Sequence, residues 1–165
     1  MAVTYEPIAS QTVGTAASSV EFTSLPGTYT DLVVACRIGT TSGNGNIQVQ
    51  VNSDTGSNYS YTFLAGDGSA AYSGRYSNQT EFITDNYAYA NTGVESVYIY
   101  HIMSYANTSV YKTFLGSAGT AGRAITKALG LWRSTSAITS IKLYPSGATT
   151  FKTNCVFSVY GIKAA

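Results

Sequence analysis

Hydrophobic and polar residues alternate over several short stretches of this chain. The alternation is complete in Ile47–Val51 and recurs at 19–23 and 139–143. Because successive side chains of a β-strand point to opposite faces, this pattern predicts strands with one buried face. Apolar runs at 32–38, 97–104 and 155–162 predict three more strands. Gly122 and Gly130 closely bracket the one helix candidate, 123–129, so we expect a strand there too.

The spacing of these segments predicts the fold class. About eight to ten strands follow one another with turn residues between them and no helical layers, which is typical of an antiparallel sandwich or barrel. We predict a single all-β domain over 1–165, an antiparallel two-sheet sandwich resembling a jelly roll. The segment 52–91 is rich in Gly, Ser, Asn and Tyr. We expect long, mostly exposed loops there, with a short hairpin near 81–84.

Charge and hydropathy exclude several classes of protein. Only 10% of the 165 residues are charged, and the net charge is +1. The nine Lys and Arg residues are scattered singly, so they form no basic patch for nucleic acid. No apolar run reaches the length of about 18 residues that a membrane span needs. The stretch 1–6 lacks the basic and apolar regions of a signal peptide, so we expect the chain to remain where it is made.

Tyrosine is unusually frequent, with 14 residues. Tyrosines offer a large contact area with a polar tip and concentrate at interfaces. Sheet edges invite pairing with other chains unless Lys, Glu or Pro blunt them, and this chain has few of these. The composition therefore predicts a protein that packs against other molecules.

The residues with possible chemistry have structural interpretations that we favour. His101 shares a strand face with Val97, Ile99 and Met103, which is typical of a hydrogen-bonded core or interface histidine. Asp54 begins an Asp-Thr-Gly-Ser sequence like that of aspartic proteases, whose chemistry needs two aspartates sharing one proton. A glycine turn capped by the Asp54 side chain explains the same residues.

A calcium loop is the other interpretation of this segment. Asn52, Asp54, Gly56 and Asn58 stand at alternate positions, but one carboxylate and no closing glutamate make a poor site. We therefore predict no catalytic residue, no metal site and no cofactor.

Two residue types leave alternatives open. Cys36 and Cys155 could form a disulfide, although buried free thiols are the favoured interpretation. Trp132, the sole tryptophan, is either an anchor of the core or an exposed platform on which a sugar stacks.

Four segments, in their order and spacing, carry a resemblance to a known family. They are 28–34, 52–60, 132–141 and 158–163. In this order they resemble a family of small structural proteins of tailed bacteriophages, and the similarity extends from about residue 4 to residue 163.

The resemblance implies a virion component with a jelly-roll-like fold that forms a homotrimer. The expected function is that of a capsid decoration (cement) protein, which binds the major capsid protein on the outer surface of the head after synthesis in the host cytoplasm. The alternative is a tail fibre or receptor-binding module that recognises glycans of the host surface.

Seven aromatic residues are candidates for partner contact under either function. They would seal the trimer interface or stack against sugars: Tyr59, Tyr61, Tyr72, Tyr76, Tyr87, Tyr89 and Trp132.

Overall fold

The structure is a computed structural model that describes residues 5–84 and 87–163. Residues 1–4 of the N-terminal stretch and positions 85–86 of the expected 52–91 loops lie outside this range. The described strands are β1 (Tyr5–Thr12), β2 (Val20–Phe22), β3 (Asp31–Ile38), β4 (Asn44–Gly45), β5 (Ile47–Val51), β6 (Tyr59–Gly66), β7 (Ala71–Gln79), β8 (Phe82–Ile83), β9 (Ala90–Asn91), β10 (Ser96–Met103), β11 (Lys112–Thr120), β12 (Ala124–Trp132), β13 (Ile141–Pro145) and β14 (Val156–Ile162).

These strands form two principal sheets and one small ribbon. The large sheet has eight strands in the order β1-β14-β3-β10-β11-β12-β6-β7, and the second sheet has four in the order β2-β13-β5-β8. Strands β4 and β9 pair separately. All described pairs are antiparallel. The prediction of an all-β antiparallel sandwich is thus confirmed.

The core lies between the inner faces of the two principal sheets. The ring of Phe82 projects from β8 onto the large sheet, where it lies over two glycines. A Cβ atom on Gly130 would stand 2.4 Å from the Phe82 ring, and one on Gly116 would stand 3.2 Å from it. Phe82 also lies 5.3 Å from the Phe114 ring, measured between centroids. Two strands therefore carry glycine because an aromatic side chain of the opposite sheet fills the space.

The alternating segments form strands as predicted. Ile47–Val51 is β5 with the predicted bounds, and Ile141 and Leu143 of β13 point inward while Lys142 points outward. The segment 123–129 is extended and belongs to β12.

The expectation of loops over 52–91 is wrong. Most of this segment is the β6–β7 hairpin of the large sheet. Tyr61, Phe63 and Ala65 face the core, while Thr62 and Leu64 face outward. Tyr59 and Tyr61 of β6 are core residues. A segment whose composition is typical of a loop therefore contains a strand in which buried and outward-facing residues alternate. The expected hairpin near 81–84 is also wrong, because β8 pairs with β5 of the four-stranded sheet.

Within residues 5–84 and 87–163 there is no helix with the length and apolar character needed to cross a membrane.

Candidate functional site

The eight-stranded sheet has an outer face, turned away from the core, that exposes large apolar side chains. Leu64, Ile125 and Leu129 are 67%, 65% and 56% exposed. An antiparallel sheet with one face on the core usually carries polar residues on the other face. The apolar side chains of this outer face include Val33, Ala35, Leu64, Val97, Ile99, Met103, Leu115, Ile125, Leu129 and Leu131.

The strand register makes these side chains neighbours. Leu115 of β11 lies directly opposite His101 of β10 and opposite Leu129 of β12. In the next row, Ile99 lies opposite Ala35 of β3. Side chains directly opposite on one face have Cβ atoms about 5 Å apart. The register therefore groups exposed apolar side chains on this face, with polar residues such as Ser117 and Lys127 between some of them.

The outer face of the four-stranded sheet is polar by contrast. It carries Glu21 opposite Lys142, and Lys142 opposite Gln50. The amide of Gln48 donates a hydrogen bond of 2.9 Å to the Glu81 carboxylate, and the amide of Gln50 donates one of 3.1 Å to the Thr80 carbonyl. The outer face of the four-stranded sheet is thus the more polar of the two outer faces, and the exposed large apolar side chains are concentrated on the eight-stranded sheet.

Charged side chains on the apolar outer face fall into two groups. On the β3 and β10 side, Asp31 accepts a hydrogen bond of 2.8 Å from His101, and Glu95 pairs with Arg37. On the β12 and β7 side lie the cations Lys127 and Arg75.

Among the described residues, neither of these two cations forms an ion pair. The Lys127 ammonium donates to the Ser117 hydroxyl. The β3 and β10 side therefore carries carboxylates together with the cation Arg37, whereas Lys127 and Arg75 lie on the other side of this face.

A shallow groove crosses the cationic side of this face. Its volume is about 290 Å³, and its lining includes Thr62, Arg75, Leu129 and Leu131. The groove is open to solvent and has apolar walls with a guanidinium at its margin. It is suited to receive apolar side chains of another surface.

The position of His101 is partly as predicted. It shares its strand face with Val97, Ile99 and Met103 and is hydrogen-bonded to Asp31, whose other oxygen accepts from the Ser104 amide at 2.7 Å. This face of β10 is exposed to solvent, and Val97 is 51% exposed. The apolar residues beside His101 therefore do not belong to the core.

Three of the seven aromatic candidates for partner contact are buried, which corrects their assignment. Tyr59 is completely buried, and its hydroxyl accepts a hydrogen bond of 3.0 Å from the Val51 amide. Tyr61 packs edge-on against Phe82 with ring centroids 5.8 Å apart. Trp132 is buried as well, so the core-anchor interpretation is the right one. Residues enclosed between the sheets cannot contact a partner.

The other four aromatic candidates reach the surface to different extents. Tyr76 of β7 is exposed. Tyr72 and Tyr87 are partly buried and stacked on each other, with ring centroids 4.2 Å apart and planes 19° apart. The Arg123 guanidinium lies over the Tyr89 ring, 3.3 Å from its centroid.

The Asp54 segment is a structural turn in which both carboxylate oxygens of Asp54 accept hydrogen bonds. One oxygen accepts from the Gly56 amide at 2.8 Å, which is the predicted capped glycine turn. The other oxygen accepts from Asn58 at 2.9 Å and from the Trp132 indole at 2.6 Å. Partial burial by itself would raise the pKa of Asp54, but these hydrogen bonds outweigh it and hold that pKa below its usual value. The carboxylate joins the turn to the core tryptophan.

Groups capable of chemistry are separated in the described part of the chain. Residues 5–84 and 87–163 contain no group of three His, Cys, Asp or Glu side chains arranged to hold a metal ion.

Lys112 is completely buried, and burial lowers the pKa of its ammonium group. Its Nζ donates to the carbonyls of Val110 and Thr135 at 2.7 and 3.1 Å, so it acts as a buried tether between two loops. The sequence pattern does not reveal this lysine as a core residue.

Cys36 and Cys155 are free and buried, as favoured from the sequence. Burial raises the pKa of both thiols, and the Cys155 thiol donates a hydrogen bond of 3.3 Å to the Gly39 carbonyl. They are structural residues of the core.

Comparison with known proteins leaves the family open. No protein-family model and no curated protein matches the chain. Among solved structures, a protein of unknown function from Shewanella oneidensis MR-1 aligns over 98% of this chain and 71% of its own length. Its sequence is 9% identical and the TM-score is 0.27, so this similarity carries no conclusion about function.

Proposed function

We propose that this protein is a structural subunit of a bacteriophage particle, a capsid decoration protein that binds the outside of the head. The observation that carries the proposal is the contrast between the two outer faces of the sandwich. Large apolar side chains concentrated on one exposed face in this way mark an interaction surface. The resemblance of segments 28–34, 52–60, 132–141 and 158–163 to structural proteins of tailed bacteriophages is the reason for proposing a phage particle as the partner.

The mechanism is stabilisation by binding. A protein that binds the assembled shell, and not its dissociated subunits, shifts the equilibrium toward the shell by its binding free energy. Many copies on one particle add their contributions, so a modest contact at each site resists the pressure of packaged DNA. The partners are the major capsid protein and further copies of this chain in the proposed trimer.

The test uses particles with and without the protein. Shells stripped of the chain should release their DNA at a lower temperature than decorated shells, and adding the purified protein back should restore the original temperature. Electron microscopy of the intact virion should locate the chain on the outer head surface. Equal rupture temperatures, or location of the chain in the tail, would contradict the decoration function.

A second candidate function is recognition of host glycans, and one observation favours it. Tyr87, whose ring stacks on that of Tyr72, borders a cleft of about 210 Å³ that Asp67 and Arg123 also line. Aromatic faces beside a carboxylate and a guanidinium are suited to sugar rings and their hydroxyls. Specific adsorption of the purified protein to host cells, lost in an Arg123→Gln variant, would favour this function over decoration.

A further inference from the structure

The edge of the eight-stranded sheet at β7 differs from the other edges of the two principal sheets. Pro7 and a bulge at Ile8 interrupt β1, the opposite edge of the same sheet. The edge strands of the four-stranded sheet, β2 and β8, have only three and two residues. Short strands, prolines and bulges protect an edge against pairing with another chain. The regular part of β7, Ala71–Tyr76, has none of these features and carries one charge, that of Arg75.

The turn before β7 fixes which backbone groups of this strand point to the open side. The Asp67 amide donates a hydrogen bond of 3.3 Å to the Ala70 carbonyl, so these two residues form a hydrogen-bonded pair. Hydrogen-bonded and non-hydrogen-bonded pairs alternate along an antiparallel ladder. The even-numbered residues of 71–76 therefore bond to β6, whereas the amides and carbonyls of Ala71, Ser73 and Arg75 point away from it. All three residues are exposed, and within residues 5–84 and 87–163 no strand pairs with β7 on that side.

We infer that β7 of a second copy of this chain pairs with β7 across this edge, antiparallel and about a twofold axis at Ser73. The backbone groups of Ala71, Ser73 and Arg75 in each copy then bond to those of Arg75, Ser73 and Ala71 in the other. Each hydrogen-bonded pair exchanges two bonds, so the contact gains about six. The inference goes beyond the proposed function and stands without it, because a twofold contact joins copies that belong to different trimers.

The side chains of 71–75 are complementary to the same segment of a second copy in this register. Ser73 stands opposite Ser73 of the second copy, and Arg75 stands opposite the small side chain of Ala71. The two guanidiniums are then four residues apart along the strands, about 13 Å. An axis at Arg75 would instead place them directly opposite each other, and like charges in that position destabilise a strand pair, whereas paired hydroxyls stabilise it. Charge and size therefore select the axis at Ser73.

Gly74 provides a second complementary feature, on the core-facing side of β7. A Cβ atom at this position would stand 2.7 Å from the Phe63 ring of the same chain, so the strand carries glycine here. In the register about Ser73, Tyr72 of the second copy lies opposite Gly74. An aromatic side chain opposite an edge glycine covers its bare backbone and stabilises the pair. The segment thus offers a large residue where its own copy has none, which favours a second copy over an unrelated strand.

The first experiment measures dimerisation of the purified chain by sedimentation at high micromolar concentration. Ser73→Lys places two ammonium groups opposite each other at the axis and should raise the dissociation constant of the dimer about tenfold or more. Ser73 is exposed and its backbone does not bond to β6, so the variant should keep the unfolding midpoint of the wild type. Gln11→Lys, at an exposed position of the opposite edge strand β1, is the matched control and should dimerise like the wild type.

Cross-linking with oxidised glutathione as the oxidant tests the register. In Ser73→Cys the two new thiols belong to one hydrogen-bonded pair, whose Cα atoms lie about 5.5 Å apart, a distance that a disulfide spans. In Ala71→Cys they lie about 13 Å apart along the strands. The native cysteines are buried. Ser73→Cys should therefore form the covalent dimer about tenfold faster or more than Ala71→Cys.

Three results would overturn the inference. They are a monomeric wild type, a dimer that Ser73→Lys leaves unchanged, and equal rates of cross-linking for the two cysteine variants. The first result leaves the open edge to a strand of another protein, and the second places the contact elsewhere on the surface. None of them bears on the decoration function, because a chain that does not pair through β7 can still stabilise a shell.

Discussion

The indole of Trp132 donates a hydrogen bond of 2.6 Å to the carboxylate of Asp54, although 78 positions separate the two residues in the chain. This bond ties the turn after β5 to the end of β12 and thereby connects the two sheets. Asp54→Asn removes the charge and replaces one of the two accepting oxygens by an NH₂ group, which cannot accept a hydrogen bond. It should lower the free energy of unfolding by about 2 kcal/mol, because hydrogen bonds to a charged acceptor are the stronger ones. Urea denaturation measures the change. Thr55→Ala, at an exposed neighbouring position, should leave the midpoint unchanged, and an unchanged midpoint for Asp54→Asn would mean that the turn is held by other contacts.

Acid should weaken the fold partly through the same carboxylate. The folded state holds the pKa of Asp54 below its usual value, so the unfolded state binds the proton more readily. The resulting stability is fully present above the unfolded pKa of about 3.9 and is lost as the pH falls through the folded pKa. Unfolding free energies measured between neutral pH and strong acid should fall less steeply for Asp54→Asn than for the wild type. Parallel curves would show that Asp54 does not contribute to the acid transition.

Gly130 should tolerate no side chain, because a Cβ atom there would lie 2.4 Å from the Phe82 ring. We expect Gly130→Ala to destabilise the fold by about 1–3 kcal/mol, the usual cost of overpacking a core. Gly119→Ala is the control on the adjacent strand, since no atom lies closer than 4.0 Å to its Cβ position. Thermal unfolding compares the two variants. If they unfold at the same temperature, the Phe82 ring is not packed on this glycine.

Substitutions at Val97 and Val49 should separate the outer face from the core. Val97 is exposed on the outer face of the large sheet, whereas Val49 is buried between the sheets. Val97→Thr should change the unfolding free energy by less than about 0.5 kcal/mol, while Val49→Thr, which buries a hydroxyl, should cost about 2 kcal/mol. Val97→Thr should also weaken retention on a hydrophobic-interaction column. Equal stability losses would contradict the orientation of β10.

Cys36 and Cys155 should be unreactive in the folded protein. Both are buried, and burial raises the pKa of both thiols, which reduces the fraction of reactive thiolate. A chromogenic disulfide reagent should label neither cysteine on the time scale of minutes in buffer and both at once in denaturant. Rapid labelling of the native protein would show that this part of the core opens readily.

Much of the fold can be predicted from the sequence because strand pattern is local. In Ile47–Val51 the alternation of apolar and polar residues predicts the strand with its bounds and its buried face. The β6–β7 hairpin cannot be predicted in the same way, because Tyr and Ser are both common in loops. The sequence pattern therefore does not show that Tyr61 is buried while Ser60 faces outward. Their separation into a buried and an exposed row depends on the opposite sheet, which supplies Phe82 as a packing partner for Tyr61.

The candidate interaction surface depends still more on the tertiary structure. The runs 32–38 and 97–103 are apolar on both faces of their strands, which by itself is typical of strands buried on both sides. The four-stranded sheet covers one face of the eight-stranded sheet, so that Tyr98 and Tyr100 are enclosed while Val97 and Ile99 meet solvent. Register then places Leu115 beside Leu129 on this exposed face.

The sequence by itself determined that this chain is an all-β protein with little charge, because strand periodicity and composition need no knowledge of distant residues. Only the tertiary structure decided which tyrosines are core residues and which apolar side chains remain exposed. The reason is physical: solvent exposure belongs to a surface formed by several strands, and residues far apart in the chain set the partners of each side chain.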